Sequence, residues 1–264
     1  MPRVKANGAE INYEESGSGT PVFLSAGGLA GNLEGYRPLA SGLARRYRVI
    51  IYDRRFGGQS RSPLVVQTWD QVCQDLIGLM DALRISKAVS GGGSFGAAIS
   101  LASAVRYPDR LTAIFPSALA GGPVTEYYLT KQLYESAQLA LQQGMKAVVS
   151  PPSGPYAAQI EANPAFCESL LHMTPEEYAR IMKETIYALF GHGFLTMGVS
   201  AHELKGIRMP TLIMPGTDDI HPRHVAEEAH RLVPGSRWAD IPSRQQDPEK
   251  YVQTVLQFLG EVGV

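Results

Sequence analysis

The stretch Lys87–Val105, KAVSGGGSFGAAISLASAV, decides the fold. Lys87 to Ser90 reads as the end of a buried strand. A glycine run follows, then one serine, then a helix of small residues carrying Ala97, Ala98, Ile99, Leu101 and Ala102. Within it, Gly92-Gly93-Ser94-Phe95-Gly96 fits G-x-S-x-G. A serine on a sharp strand-to-helix turn is held in a strained backbone conformation with its hydroxyl exposed above the sheet. Such a turn tolerates only tiny residues two positions to either side, hence the flanking glycines. The helix that starts there directs free N–H groups and its positive dipole end at whatever the serine holds. One G-x-S-x-G among 27 glycines carries little weight; a strand before it and a helix after it carry much more.

Outward from this element the chain alternates strand and helix. Val4 to Ala6 and Ile11 to Glu15 form an expected hairpin about Asn7-Gly8. Pro21 to Ser25 is a short apolar strand followed by Ala26-Gly27-Gly28, too glycine-rich for a helix. A helix is expected over Glu34 to Arg45, a strand over Tyr47 to Tyr52 ending at Asp53, and a polar loop from Arg54 to Pro63. Thr68 with Gln71 begins a helix whose apolar face is Val72, Leu76, Leu79 and Leu83. Leu111 to Phe115 is another strand. From Gly121 to Lys205 the alternation stops, and helical patterns cover Glu126–Gln143, Ala157–Asn163, Pro175–Phe190 and Ser200–Lys205, with Pro151 to Pro155 as a linker. It resumes with strands at Pro210–Pro215 and Arg237–Ile241 and helices at Pro222–Leu232 and Asp247–Leu259. This order implies an α/β protein, a mostly parallel central sheet flanked by helices. Residues 1–120 and 206–264 make the core, and 121–205 an inserted all-helical cap.

Composition narrows the function. The chain has 264 residues, enough for a large core, and 24 basic against 25 acidic side chains with no basic stripe. Nucleic acid is therefore not an expected partner. No apolar run approaches the roughly 18 to 20 residues of a membrane span, and MPRVKANGAEINYEESG lacks a signal peptide's apolar centre. A cytoplasmic location is expected. Cys73 and Cys167 read as small apolar residues, giving neither a disulfide framework nor metal spacing. No metal or organic cofactor is implied. The expected partner is a small molecule; the oligomeric state stays open, a homodimer included.

The motifs together resemble the α/β-hydrolase fold family with a helical cap, nearly end to end. Pro21 to Gly31 resembles its strand and oxyanion loop, Asp53 to Ser60 its D-x-R-G-x-G-x-S loop, and Gly92 to Gly96 its nucleophile elbow. Met209 to Asp219 resembles the strand and loop that carry its triad acid. The resemblance implies Ser94 as nucleophile and the backbone N–H groups of Phe95 and Gly28 as oxyanion donors. Asp218 or Asp219 would be the acid, and the spacing leaves both open. Three departures stand out. Ala26-Gly27 replaces His-Gly, Phe56 replaces the glycine of D-x-R-G, and the loop Ile241 to Pro248 has no histidine where the family carries its base.

A serine hydroxyl needs a base within hydrogen-bond reach and a third group to hold that base. Of the six histidines, His221 is the best candidate, two residues past Asp219 at the catalytic end of the sheet. The bland alternative is a histidine bonded within its own turn. A third alternative is that Gln245 or Gln246 stands where the family histidine would. Arg54 is a weaker candidate for holding an anionic substrate, although Arg54 and Arg55 equally suit bracing the loop through carboxylates. Glu34 is a weak candidate base and His192 a weak pocket residue. The cap aromatics Tyr127, Tyr128, Tyr134, Tyr156, Phe166 and Phe190 suggest an apolar pocket, though helical spacing also suits cap core. The leading reading is a serine-nucleophile hydrolase of a small, largely apolar ester, lactone or related carbonyl compound. The alternatives are a cofactor-independent lyase, isomerase or C–C bond enzyme using the same oxyanion hole, and a non-catalytic ligand-binding protein.

Overall fold

The computed structural model describes residues 2–264. The chain opens with the hairpin β1 (Arg3–Ala6) and β2 (Ala9–Ser16). Its turn residues Asn7 and Gly8 both have positive φ (45° and 75°), the twist that suits a two-residue hairpin. Then come β3 (Pro21–Ser25), α1 (Arg37–Leu43), β4 (Arg48–Tyr52), α2 (Trp69–Ala82), β5 (Ala88–Gly93), α3 (Phe95–Arg106) and β6 (Leu111–Ser117). The sheet runs β1-β2-β4-β3-β5-β6, antiparallel at β1, β2 and β4 and parallel thereafter. After the helical insertion, β7 (Leu212–Ile213) and β8 (Arg237–Trp238), with α10 (Arg223–Leu232) between them, extend it beyond β6. The junction is two parallel bridges, Ile114 to Thr211 and Ser117 to Met214. The last helix, α11 (Pro248–Glu261), packs beside α1.

The insertion holds α4 (Pro123–Gln143), α5 (Met145–Val149), α6 (Ala157–Ala162), α7 (Pro164–Leu171), α8 (Pro175–Phe190) and α9 (Ala201–Leu204). The long pair α4 and α8 is its body. Buried contacts seat it on the core: Gln67 donates through Nε2 to the Tyr156 hydroxyl (3.1 Å) and Trp69 Nε1 to the Leu189 carbonyl (3.0 Å). Phe56, Tyr156 and Phe166 form one aromatic cluster there. No described helix is long and apolar enough to cross a membrane.

Several local expectations change. β5 continues through the glycines to Gly93, because Gly91, Gly92 and Gly93 keep their ladder register with β6. The helix expected at Glu34–Arg45 is a 3₁₀ turn, Glu34–Tyr36, followed by α1, since Pro38 lacks the N–H needed in a helix interior and suits a first turn. Strands at Pro210–Pro215 and Arg237–Ile241 shrink to two residues each. Helices α5 and α7 were not expected; α7 starts at Pro164, where the Asn163 side chain accepts from the Phe166 N–H. Cys73 is buried, and that burial pushes its thiol up to about 11, as suits an inert core residue.

Two constraints hold the sheet's catalytic end. Cβ atoms added at Gly92 and Gly96 would fall 2.4 and 1.9 Å from the same Ser25 carbonyl oxygen of β3, so only glycine lets β5 and α3 pass that close. Below the loop, Arg55 and Asp75 are buried and paired by two hydrogen bonds (2.8 and 2.6 Å), and Asn7 donates to the same carboxylate (2.7 Å). Removing one partner strands a buried charge, which outweighs what the pair itself contributes. Asp75→Ala is expected to destabilise by about 3–5 kcal/mol, measured by denaturant unfolding. Gly96→Ala is expected to cost at least about 3 kcal/mol, since its clash is with backbone. Near-native stability for Gly96→Ala contradicts the close approach.

Candidate active site

Ser94 sits between β5 and α3 with φ 58° and ψ −122°, a conformation that costs a non-glycine residue about 1–3 kcal/mol. The surroundings impose it. Its N–H donates to the carbonyls of both Ser117 and Ala118 at the end of β6 (3.1 Å each). One residue earlier, the Gly93 N–H donates to the hydroxyl of buried Tyr36 (2.9 Å). Tyr251 of α11 donates to Ser117 Oγ (2.9 Å), which donates to the Gly92 carbonyl (3.1 Å). Burial raises the Tyr251 pKa well above the ordinary phenol value, against the opposing effect of the Ser117 hydrogen bond, so it stays a neutral donor.

The candidate oxyanion donors lie on either side. Phe95 is the first residue of α3, so its N–H has no carbonyl one turn back to bond. Gly28 is exposed with φ 73°. Gly27, beside it, lies so near Ser94 that an added Cβ would come 3.1 Å from Ser94 Cβ. The Phe95 ring stacks on Trp69 (centroids 5.0 Å apart) and carries the Arg54 guanidinium 4.1 Å from its centroid. Arg54 Nη2 donates to the Leu29 carbonyl (2.6 Å), next to Gly28. Arg54 therefore touches both walls of the candidate oxyanion hole from beneath. It is only 5% exposed and does not line the cleft, so the expectation that it contacts substrate is corrected. Burial draws its pKa down to about 10, and its Nε and Nη1 have no hydrogen-bond partner among the described residues.

Asp218 and His221 form a pair in the loop after β7. His221 Nδ1 lies 2.9 and 3.0 Å from the two Asp218 carboxylate oxygens. The backbone N–H groups of Ile220 and His221 also donate to Asp218 Oδ1 (2.9 and 2.8 Å). Partial burial works to raise the Asp218 pKa, but these hydrogen bonds and the imidazole outweigh it and hold the carboxyl below its usual value. An Nδ1–H that donates to this carboxylate leaves Nε2 as the acceptor; that atom is buried and without a partner among the described residues. Asp219 makes no bond to His221 and faces an adjoining depression instead. Of the two aspartates, Asp218 is the one that meets His221.

Ser94, Asp218 and His221 line one cleft of about 430 Å³, closed on its far side by the loop Ile241–Gln246. Ser94 Oγ and His221 Nε2 make no direct hydrogen bond. A larger groove of about 750 Å³, between the β1–β2 turn and α7, holds neither a serine on a strained turn nor a histidine; chemistry rather than size selects the first. Several sequence expectations fall outside the cleft: Arg54 and Asp219 do not line it, nor do Gly28 and Phe95, the candidate oxyanion donors that flank Ser94. Glu34 is exposed on the 3₁₀ turn, and His192 is exposed beside Phe194 (5.4 Å) in the cap. The cap aromatics do not line it either: Tyr127, Tyr128 and Tyr134 face solvent, and Tyr156 and Phe166 are cap core. Gln246 Oε1 accepts the Ser243 N–H (3.1 Å), a bond that shapes its own loop, while Gln245 is exposed at the cleft. Tyr36, Ser117, Tyr251 and Arg244 were missed. Only Arg244 had a signal, its place in the loop where a histidine was sought.

The comparisons agree with this fold. A family model described as alpha/beta hydrolase fold matches residues 21–243. A protein of Azorhizobium caulinodans provisionally named a carbamate hydrolase is 25% identical over 99% of both chains. The 2-hydroxy-6-oxo-2,4-heptadienoate hydrolase of Pseudomonas putida is 27% identical over 89% of this chain and 85% of its own. The enol-lactonase of Burkholderia xenovorans superposes with a TM-score of 0.70 at 26% identity, over 98% of this chain and all of that one. With the elbow, the sheet order and the capping insertion, this match establishes that the chain belongs to the α/β-hydrolase fold family of enzymes.

Proposed function

We propose that the protein is a serine hydrolase of small acyl compounds (esters, lactones or carbamates) whose base comes from the loop after β7. The observation that carries the reading is His221: its Nδ1 is held by Asp218 while its Nε2 is buried, unpartnered and in the cleft that holds Ser94. In this reading Ser94 Oγ attacks the carbonyl carbon as its proton passes to His221 Nε2, directly after a side-chain rotation or through one water. The oxyanion is received by the N–H groups of Phe95 and Gly28, each worth about 3–4 kcal/mol of transition-state stabilisation. His221 returns the proton to the leaving group as the tetrahedral centre collapses. Water, deprotonated by His221, then releases the acyl group from Ser94. Strain at Ser94 and the braces around it keep the hydroxyl positioned without ordering cost at the moment of attack. The absence of a direct Ser94–His221 hydrogen bond favours one second reading, a cofactor-independent lyase or isomerase in which Ser94 only donates a hydrogen bond.

Intact mass after treatment with a fluorophosphonate separates the two. Wild type is expected to gain one adduct, and Ser94→Ala and His221→Ala none. Labelling of His221→Ala at the wild-type rate means the base lies elsewhere. A folded, accessible wild type that stays unlabelled removes the activated serine and leaves the lyase reading. Asp218→Asn is expected to lower kcat about 100- to 10,000-fold while changing stability by less than about 1 kcal/mol, because Asp218 is 62% exposed. A stability loss matching the activity loss would mean the pair is structural.

A further inference from the structure

The cleft has a feature that the hydrolytic machinery does not use. Arg244 lines it, opposite the Asp218–His221 loop, and is its only fixed cation among the described residues. The guanidinium is anchored: Nη1 donates to the Gly35 carbonyl (2.7 Å), and its plane rests 3.9 Å from the centroid of the Tyr36 ring. Tyr36 is 2% exposed and is the side chain whose hydroxyl accepts the Gly93 N–H beside the nucleophile. Arg244 therefore sits on a rigid platform one hydrogen bond removed from the elbow. It also lacks an anion. Arg244 has no carboxylate within ion-pair distance, which is also true of the exposed Arg3, Arg45, Arg46, Arg61, Arg84 and Arg208; what sets it apart is that it is anchored and lines the cleft. The one carboxylate in the cleft, Asp218, already accepts from His221 and Ile220.

We propose that Arg244 is the carboxylate-recognition residue of this cleft, so that the substrate carries a free carboxylate in addition to its reactive carbonyl. With one N–H taken by Gly35, the remaining guanidinium donors suffice for a carboxylate, and the stacked, weakly hydrated plane suits bidentate recognition. The inference rests on the reading of this cleft as the substrate site, but not on the reaction performed there. It also gives the loop Ile241–Gln246 a task in place of the missing base.

The test is binding without turnover. Monomethyl glutarate and its neutral counterpart dimethyl glutarate are titrated by ligand-observed NMR into Ser94→Ala, Ser94→Ala/Arg244→Gln and Ser94→Ala/Arg244→Lys. The Ser94→Ala protein is expected to prefer the anionic ester by about tenfold or more, the glutamine variant to lose that preference, and the lysine variant to keep part of it. A ratio of affinities cancels any general loosening of the loop, which a merely anchoring arginine would cause. If Ser94→Ala shows no preference, or the preference survives Arg244→Gln, the proposal is overturned. If binding follows Arg244 while the wild type neither labels nor hydrolyses, the hydrolase reading fails and the carboxylate site stands.

Discussion

The structure depends on how closely β5 and α3 pass the Ser25 carbonyl. Two glycines, Gly92 and Gly96, straddle Ser94 and approach that one oxygen within a distance that any side chain would occupy. The chain can then reverse from strand to helix within a single residue, and that residue takes the strain. What holds Ser94 at positive φ is the hydrogen bonding of its neighbours: the end of β6 takes its N–H, Tyr36 supports Gly93, and Tyr251 acts through Ser117. A strain of about 1–3 kcal/mol is easily sustained by several buried hydrogen bonds, each contributing about 1 kcal/mol net. The elbow is rigid because four separate elements converge on it.

Buried charge beneath the site follows two different rules. Arg55 meets Asp75 with paired hydrogen bonds and a third donor, so its burial is balanced by geometry. Arg54 has no carboxylate in ion-pair contact, and burial draws its pKa down to about 10. It nevertheless remains charged at neutral pH, since a cation with that value is more than 99% protonated there. Its contacts with the Phe95 ring and the Leu29 carbonyl place a fixed positive charge under both backbone segments that carry the candidate oxyanion donors. A charge in a low-dielectric surrounding acts over a longer range than one in water. Residues read as loop braces from sequence are therefore part of the electrostatics of the site.

Much of the fold was legible because its signals are local. The Asn7-Gly8 turn, the Thr68 cap and the G-x-S-x-G elbow each depend on residues within a few positions of one another. The short strands β7 and β8 were overextended because their mutual pairing covers only Leu212–Ile213 and Arg237–Trp238. Ser94 was legible for the same local reason, and so was the Asp218–His221 neighbourhood, though the choice between two aspartates needed coordinates. Tyr36 and Tyr251 were not legible: they lie 57 positions before Gly93 and 134 after Ser117, and a lone tyrosine on a turn or helix carries no sign of what it will touch. For Arg54 the sequence left bracing and substrate contact both open, because spacing gives the end of a strand but not the side of the loop on which a side chain is buried.

On the proposed reading, the departures from the family pattern form one rearrangement. With Asp218 and His221 three residues apart, the loop's own backbone N–H groups fix the carboxylate, and the carboxylate fixes the imidazole. Such a pair needs no second loop to bring its members together. The segment between β8 and α11 is then released from delivering a histidine. It keeps its place beside the nucleophile because Arg244 clamps it to Gly35 and Tyr36. A loop that is held in position but has no proton to move can only bind or exclude. With a pinned, unpaired guanidinium facing a cleft whose sole carboxylate is already engaged, binding an anion is the role its chemistry fits.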